Sequence, residues 1–215
     1  MCNSCRVGHS IAFDEVLATE EDRLDVASFD GEADVVAALL ERDGGEQEQA
    51  FLAALRCFSD RRLPCRGWFR LLELGAGAGS RAILLAGRGY AVTVVERDAT
   101  ALRFVRHRIE RRGLEANAVV CDRLDAVSGP PYDAAVCLDP AGFASDAVEA
   151  ARLLRPKLRK RGLLLGGPAF AGAIAHRRRE LERIGFSVAT DFGADFPSLR
   201  VRGYVGRVLA QFPSR

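Results

Sequence analysis

Residues 73–80, which read ELGAGAGS, have the residue types and spacing of a ligand-binding turn. An apolar run over residues 69–74 predicts a strand before this turn, and residues 80–87 predict a helix after it. Glycines adopt positive φ and let a ligand approach the backbone, and the first turn of a helix presents free N–H groups. Such a unit receives a nucleotide-like ligand at the carboxyl edge of a parallel sheet. The turn alone would equally suit a nicotinamide-dependent dehydrogenase.

Acidic residues end three of the first four predicted strands. Glu96 closes the second strand, 19 residues after Gly77, where a carboxylate can accept hydrogen bonds from both hydroxyls of a ribose. Asp122 follows the third strand, where a carboxylate can accept a hydrogen bond from an adenine amino group. Asp139 follows the fourth strand. Because the carboxyl ends of parallel strands share one edge of the sheet, we expect these acids around the glycine turn.

Residues from about 69 to 212 resemble the class I S-adenosylmethionine-dependent methyltransferase family. Residues 73–79 are similar to its glycine-rich cofactor motif, Glu96 to its ribose-binding acid and Asp122 to its adenine-contacting acid. Asp139 is similar to the residue near the transferring methyl group. The resemblance implies S-adenosylmethionine as cofactor and S-adenosylhomocysteine as its product. With the two arginines beside the acids, the implied cofactor contacts are Glu73, Gly75, Ala76, Gly77, Gly79, Glu96, Arg97, Asp122, Arg123 and Asp139.

Asp139 is also the candidate catalytic residue. Methyl transfer is an in-line displacement at a sulfonium, for which the protein supplies position, dry surroundings and a base where the acceptor loses a proton. Residues 139–143 read DPAGF and are similar in part to the Asp/Asn-Pro-Pro-aromatic motif of amino-group methyltransferases. They lack the second proline, and their aromatic residue comes one position later. The hypothesis that follows is methylation of a small-molecule acceptor at nitrogen.

The elements that must position these residues alternate between strand and helix after residue 67. Short continuous apolar runs are typical of parallel strands buried on both faces, so the pattern predicts an α/β fold with a doubly wound sheet. No helix fits between residues 191 and 200, and so short a connection predicts an antiparallel final pair. The family's pattern implies seven strands in the order 3-2-1-4-5-7-6, with the last strand antiparallel. Strands are predicted at 69–74, 91–96, 118–121, 133–138, 162–165, 186–190 and 201–210, and helices at 80–87, 99–112, 145–154 and 172–184.

Residues 1–66 are expected to form an N-terminal helical extension of a cofactor-binding methyltransferase domain at 67–215. Helical spacing predicts a helix over 11–17, a second around residues 35–40 that ends at Gly44, and a third over about 46–58. The resemblance implies that residues 11–66 lie over the carboxyl edge of the sheet as a lid and form part of the acceptor pocket. This lid is acidic and partly apolar, which favours a small, cationic or amine-bearing acceptor over a phosphate backbone.

The net charge of +2 is unevenly distributed. Residues 1–66 carry 14 acidic and 7 basic side chains, whereas residues 67–215 carry 15 acidic and 24 basic ones. The basic part could attract a polyanion, or the acidic part could be its intramolecular partner. An RNA or protein methyltransferase is therefore one alternative function, and a nicotinamide-dependent oxidoreductase or non-catalytic nucleotide-binding module is another. Five arginines of the helix predicted at 99–112 form either a solvated face or an RNA-binding stripe: Arg103, Arg106, Arg108, Arg111 and Arg112.

The six cysteines indicate free thiols rather than disulfides or a metal site. Cys2-x-x-Cys5 with Cys57 and Cys65 has a count that would suit zinc, but no standard spacing joins the two pairs. No apolar run reaches the roughly 18 residues of a membrane helix, and the N-terminus lacks the pattern of a secretory signal. We therefore expect a cytoplasmic protein with no membrane partner and no bound metal, and the oligomeric state stays open.

Overall fold

Seven strands form one sheet in the computed structural model, which describes residues 20–43, 69–189 and 198–201. The strands are β1 (Arg70–Leu74), β2 (Ala91–Val95), β3 (Ala118–Cys121), β4 (Tyr132–Cys137), β5 (Leu158–Gly166), β6 (Phe186–Ala189) and β7 (Ser198–Val201). Their order across the sheet is β3-β2-β1-β4-β5-β7-β6. Strands β1 to β5 pair in parallel, whereas β7 is antiparallel to both of its neighbours. The carboxyl ends of β1, β2 and β4 therefore lie side by side.

Helices cover both faces of the sheet. They are α1 (Glu20–Ala27), α2 (Ala33–Asp43), α3 (Ser80–Ala86), α4 (Ala99–Arg111), α5 (Ala147–Leu154) and α6 (Pro168–Ile184). One core, which includes Leu72 and Leu154, lies under α5 and α6, and the other, which includes Leu71 and Ile109, lies under α3 and α4. Leu71 and Leu72 face opposite cores because side chains alternate along a strand. The prediction of a doubly wound α/β sheet is confirmed. None of the described helices is long and apolar enough to cross a membrane.

Two elements, β5 and the helix that follows it, begin four residues before their predicted starts. The strand begins at Leu158, four residues before the predicted start, and Leu158 pairs with Tyr132 of β4. Residues 159–161 are exposed, so the apolar pattern gave no sign of this part of the strand. Helix α6 begins at Pro168, four residues before its predicted start. Proline suits a first helical turn because the missing N–H would have no intrahelical acceptor there.

The final two strands are antiparallel neighbours, as the short connection between them predicted. Phe186 pairs with Val201, and Ala189 pairs with Ser198. Strand β7 begins three residues before the strand predicted at 201–210. The rest of that prediction, from residue 202 onwards, lies outside the described residues.

Helices α1 and α2 pack against the outer side of α4. Val36 and Leu40 of α2 form one apolar cluster with Phe104 of α4 and Ala78 of the glycine turn. Helix α2 is the one predicted around residues 35–40, and it ends at Asp43, directly before Gly44. The helices predicted at 11–17 and about 46–58 lie outside the described residues. The described part of the N-terminal segment thus touches the turn through Ala78.

Candidate active site

The glycine turn between β1 and α3 adopts a backbone conformation that favours glycine at three positions. Gly75, Gly77 and Gly79 have φ angles of 69°, 58° and 79°, in the left-handed region. Gly79 also has no space for a side chain, because a Cβ there would lie 2.9 Å from Cγ2 of Val105. The N–H of Gly79 donates to the carbonyl of Ala76 over 2.9 Å, and the residue Ala76 is fully buried. The turn therefore presents backbone rather than side chains at the carboxyl edge of the sheet.

A buried ion pair supports the turn from below. Glu73, the last but one residue of β1, is fully buried, and its Oε1 accepts a hydrogen bond from Nε of Arg81 over 2.6 Å. Nη2 of Arg81 donates to the carbonyl of Gly75 over 3.0 Å. Glu73 therefore lies beneath the turn and acts on it through Arg81. Sequence reasoning missed Arg81, although a cation in the first turn of a helix is unfavourable beside the helix dipole and so could have indicated a special role.

Glu96 lies across the turn at the end of β2. Its Oε2 accepts a hydrogen bond from the N–H of Gly77 over 3.0 Å, and its Oε1 accepts one from the N–H of Asp98 over 2.9 Å. The residue is only 7% exposed. Asp98 in turn caps α4 by accepting from the N–H of Ala101 over 2.8 Å. The carboxylate is thus fixed by two backbone donors, and each oxygen keeps lone pairs for further donors.

The turn after β4 closes against the glycine turn. A Cβ on Gly75 would lie 3.4 Å from the ring of Phe143 and 3.7 Å from the carbonyl oxygen of Asp139. Arg97 stands 5.1 Å from the centre of the Phe143 ring and donates a hydrogen bond to the carbonyl of Gly142. The structure therefore brings residues that follow β1, β2 and β4 to one place. Phe143 is a site residue to which the sequence reasoning gave no cofactor contact.

The side chain of Asp139 is exposed beside this junction. Its Oδ1 accepts a hydrogen bond from the N–H of Ala141 over 2.9 Å, the local contact of a turn that starts with an aspartate. The contact fixes the orientation of the carboxylate, because one oxygen is held by the backbone. The second oxygen is available to a donor from an incoming molecule.

Asp122 and Arg123 lie after β3, at the outer end of the same edge. Their side chains are 64% and 67% exposed, and Oδ1 of Asp122 lies 4.0 Å from Nε of Arg123. Nε of Arg123 lies 3.5 Å from Oδ1 of Asp125. In the structure these two side chains contact each other rather than the glycine turn.

Cys137 ends β4 directly below this edge. Burial, and then the charge of Asp139, raise the pKa of the Cys137 thiol to about 12. The thiol is therefore protonated at neutral pH and is not a nucleophile. No group of three potential metal ligands occurs within residues 20–43, 69–189 and 198–201. The four cysteines considered for zinc, at positions 2, 5, 57 and 65, lie outside the described residues.

Part of the chain matches the model of a protein family in sequence. Residues 71–162 match the model of the methyltransferase domain family. This stretch runs from β1 into β5 and includes the glycine turn, Glu96, Asp122 and Asp139. No curated protein matches the chain in sequence.

Solved structures share the fold over most of the chain. A magnesium protoporphyrin IX methyltransferase from Synechocystis PCC 6803, solved with bound S-adenosylmethionine, is 22% identical, with a TM-score of 0.56 over 90% of this chain and 96% of that one. A precorrin-6y C5,15-methyltransferase from Geobacter metallireducens GS-15 is 15% identical, with a TM-score of 0.51 over 72% and 86%. The [4+2]-cyclase SpnF is 16% identical, with a TM-score of 0.55 over 73% and 82%. These identities establish the fold alone, and the cyclase shows that the fold does not fix the chemistry.

The family match and the geometry agree at the same residues. The matched stretch contains the turn with three positive φ angles, the carboxylate fixed across it and the turn after β4 that closes against it. The fold extends beyond the matched stretch to a complete doubly wound sheet. The chain is thus similar to the methyltransferase domain family over residues 71–162, and it shares its fold with solved methyltransferases, one of which has S-adenosylmethionine bound.

Proposed function

We propose that the chain transfers a methyl group from S-adenosylmethionine to a small-molecule acceptor, at a nitrogen atom. The observation that carries the proposal is the position of Glu96, whose carboxylate is fixed across the glycine turn by the N–H groups of Gly77 and Asp98. In a doubly wound sheet this edge is where a nucleotide-like ligand lies. A ribose diol here can donate to the lone pairs that the backbone contacts leave on both carboxylate oxygens.

The residues around the turn fit this cofactor. S-adenosylmethionine carries its methyl group on a sulfonium, which an acceptor atom attacks directly, so no protein nucleophile is needed. Gly75 and Gly77 leave the surface of the turn free of side chains. Glu96 would hold the ribose, and Asp122 with the neighbouring Arg123, which follow β3, would contact the adenine. Arg97 packs on the turn after β4 and closes the site from that side.

Asp139 is proposed as the proton acceptor for the amine. Substitution of Asp139 by asparagine should lower the rate of methyl transfer by about 10²–10⁴-fold, the usual contribution of a general base. Binding of S-adenosylhomocysteine should stay within about threefold, because the asparagine oxygen can still accept from the N–H of Ala141. Single-turnover transfer of a labelled methyl group to a panel of small primary and secondary amines measures the rate. Full turnover by Asp139→Asn on the amine that the unaltered chain methylates would exclude the proton-accepting role.

The contacts of α4 disfavour RNA as the acceptor. Of the five arginines considered for an RNA-binding stripe, Arg108, Arg111 and Arg112 pair with carboxylates of α1. Only part of that helix therefore presents uncompensated positive charge to a phosphate backbone. A small molecule remains the acceptor class that the site supports best.

The same contacts remove one argument for a cationic acceptor. The acidity of the N-terminal segment predicted attraction for a cation, but Asp22 and Asp25 are buried against the arginines of α4. Their charge is neutralised inside the protein and does not face an acceptor. The proposal of an amine therefore draws its main support from residues 139–143.

Thermal unfolding of the full chain tests the cofactor. A ligand at 100 times its dissociation constant adds about 2.7 kcal/mol to the free energy of unfolding, which for a chain of this size raises Tm by roughly 5–11 °C. We expect this rise with S-adenosylhomocysteine and none with NADH. A rise with NADH alone would favour an oxidoreductase, and no rise with either ligand would contradict the proposed function.

A further inference from the structure

One buried guanidinium joins the glycine turn to the N-terminal helix α1. Arg108 of α4 is only 2% exposed. Its Nη1 donates to the carbonyl of Ala78 over 2.6 Å and lies 3.4 Å from Oγ of Ser80. Its Nε donates to Oδ2 of Asp25 over 2.9 Å, and its Nη2 donates to Asp22. The end of the turn and the first described helix therefore share one side chain.

The charge of Arg108 is balanced only by residues of α1 among its described contacts. Asp25 is fully buried and also accepts hydrogen bonds from Arg111 and Arg112. Nη2 of Arg112 lies 2.7 Å from Asp22. Removing the carboxylates would leave a buried guanidinium without counterions, a state far less favourable than moving the side chain towards water. Such a movement would also withdraw the donor from Ala78.

Apolar and aromatic contacts hold α1 and α2 in the same place. The ring of Phe29, between the two helices, lies 5.2 Å from that of Phe104 in an edge-to-face arrangement. Oγ of Ser28 lies 3.0 Å from Nε2 of His107. Val36 completes the cluster that contains Ala78. The two helices would therefore stay near α4 when the charge of α1 is removed, so the effect of the charge can be measured in a folded chain.

We propose that Arg108 is a positioning residue through which the carboxylates of α1 hold the glycine turn in its ligand-binding conformation. The ligand's identity rests on the proposed function, whereas the link between α1 and the turn does not. A turn released from Arg108 samples more conformations, and a ligand must then restrict them when it binds. Loss of the carboxylates is expected to weaken binding of S-adenosylhomocysteine by roughly tenfold, within the range usual for coupled sites.

The test compares two double variants of the full chain that remove the same charge. Asp22→Asn with Asp25→Asn removes the carboxylates of the network and keeps their shape. Glu110→Gln with Glu115→Gln removes two exposed carboxylates on and after α4. Calorimetry measures the Kd of S-adenosylhomocysteine. Hydrogen exchange without ligand measures protection of the N–H groups of Gly79 and Ile83, which bond to carbonyls of the turn.

The expected result is local. In the Asp22/Asp25 variant, exchange at Gly79 and Ile83 should quicken while exchange in β1 and β4 is unchanged, and the Kd should rise about tenfold. A purely structural role would quicken exchange in the strands as well and leave the Kd unchanged. The Glu110/Glu115 variant should match the unaltered chain in both measurements. If the first variant does not fold, Arg108→Lys replaces it, since lysine keeps the charge but cannot reach α1 and Ala78 together.

The remaining outcomes distinguish a failure of the positioning role of Arg108 from a failure of the proposed function. Unchanged exchange at Gly79 and Ile83, or faster exchange with an unchanged Kd, would overturn the positioning role of Arg108. If the unaltered chain does not bind S-adenosylhomocysteine, the proposed function fails, and the exchange comparison alone then confirms or overturns the link between α1 and the turn.

Discussion

Substitution of Glu96 by alanine is expected to weaken binding of S-adenosylhomocysteine by at least about 100-fold. The change removes both oxygens proposed to accept the ribose hydroxyls, and each hydrogen bond to a charged group contributes about 1.5–3 kcal/mol, where about 1.4 kcal/mol is tenfold in Kd. It also removes the acceptor of the N–H groups of Gly77 and Asp98, which joins the glycine turn to the start of α4. Calorimetric titration of the full chain measures the loss.

One further variant separates the charge of Glu96 from its shape, and a second variant is a control. Glu96→Gln keeps one acceptor oxygen and the volume of the side chain, so its loss of affinity should be smaller, about tenfold. Glu110→Ala changes an exposed acid on α4 and should bind as the unaltered chain does. A Kd for Glu96→Ala within threefold of that of the unaltered chain would show that the ribose lies elsewhere.

The glycine turn and Glu96 could be predicted because both depend on neighbours in sequence. Positive φ at Gly75, Gly77 and Gly79 follows from the residue type and from the strand and helix on either side. Glu96 ends a buried strand next to β1, so its carboxylate lies at the same edge as the turn. The sequence also predicted the alternation of strands and helices, since each element shows its own apolar period.

The residues that support the turn could not be predicted in the same way. Arg108 pairs with Asp25 and Asp22, which precede it by 83 and 86 positions, and no local pattern joins such partners. One signal was present: Arg108 lies four residues after Phe104, on the same face of α4 as a fully buried ring. A charged residue on an apolar stripe indicates a buried partner. The number of arginines on the helix does not by itself distinguish the buried Arg108 from the exposed Arg103 and Arg106.

Ion pairs between α1 and α4 explain part of the uneven charge distribution of the chain. The sequence left open whether the basic part attracts a polyanion or the acidic part neutralises it. In the described residues the second interpretation holds for α1 and α4, where two aspartates face three arginines. The number of charges was visible in the sequence, but their pairing depends on tertiary contacts, so composition alone overstated the basic surface.

For Asp139 and Asp122, the sequence predicts the position of the side chain but not its chemical role. The sequence placed both at the carboxyl edge, and both lie after the expected strands. Asp139 also accepts the N–H of Ala141, the ordinary role of an aspartate that begins a turn. The two roles are compatible, because one oxygen accepts the N–H of Ala141 and a carboxylate has a second oxygen that can accept from another donor. Sequence position therefore indicates where such an acid stands, and only kinetics on the acceptor distinguishes its chemistry.

Substitution of Arg108 by methionine is expected to lower the free energy of unfolding at pH 7 by about 3–5 kcal/mol, because it leaves buried carboxylates without their central partner. The value should lie near the lower end, since Arg111 and Arg112 still contact Asp25. For a chain of this size the loss corresponds to a fall in Tm of roughly 6–20 °C. Urea unfolding of the full chain measures it. Arg106→Met, an exposed change on the same helix, should cost less than about 1 kcal/mol.

The dependence of this loss on pH identifies its cause. Burial alone would raise the pKa of Asp25, but hydrogen bonds from Arg112, Arg108 and Arg111 outweigh it and hold the pKa below its ordinary value of 3.8. A carboxyl whose pKa is lower in the folded chain stabilises it above the unfolded pKa, and that stability is lost as the pH falls through the folded pKa. The difference between the unaltered chain and Arg108→Met should therefore be constant at neutral pH and shrink below about pH 3.8. A difference that stays the same down to pH 3 would mean that methionine disturbs the packing around Phe104 rather than the ion pairs.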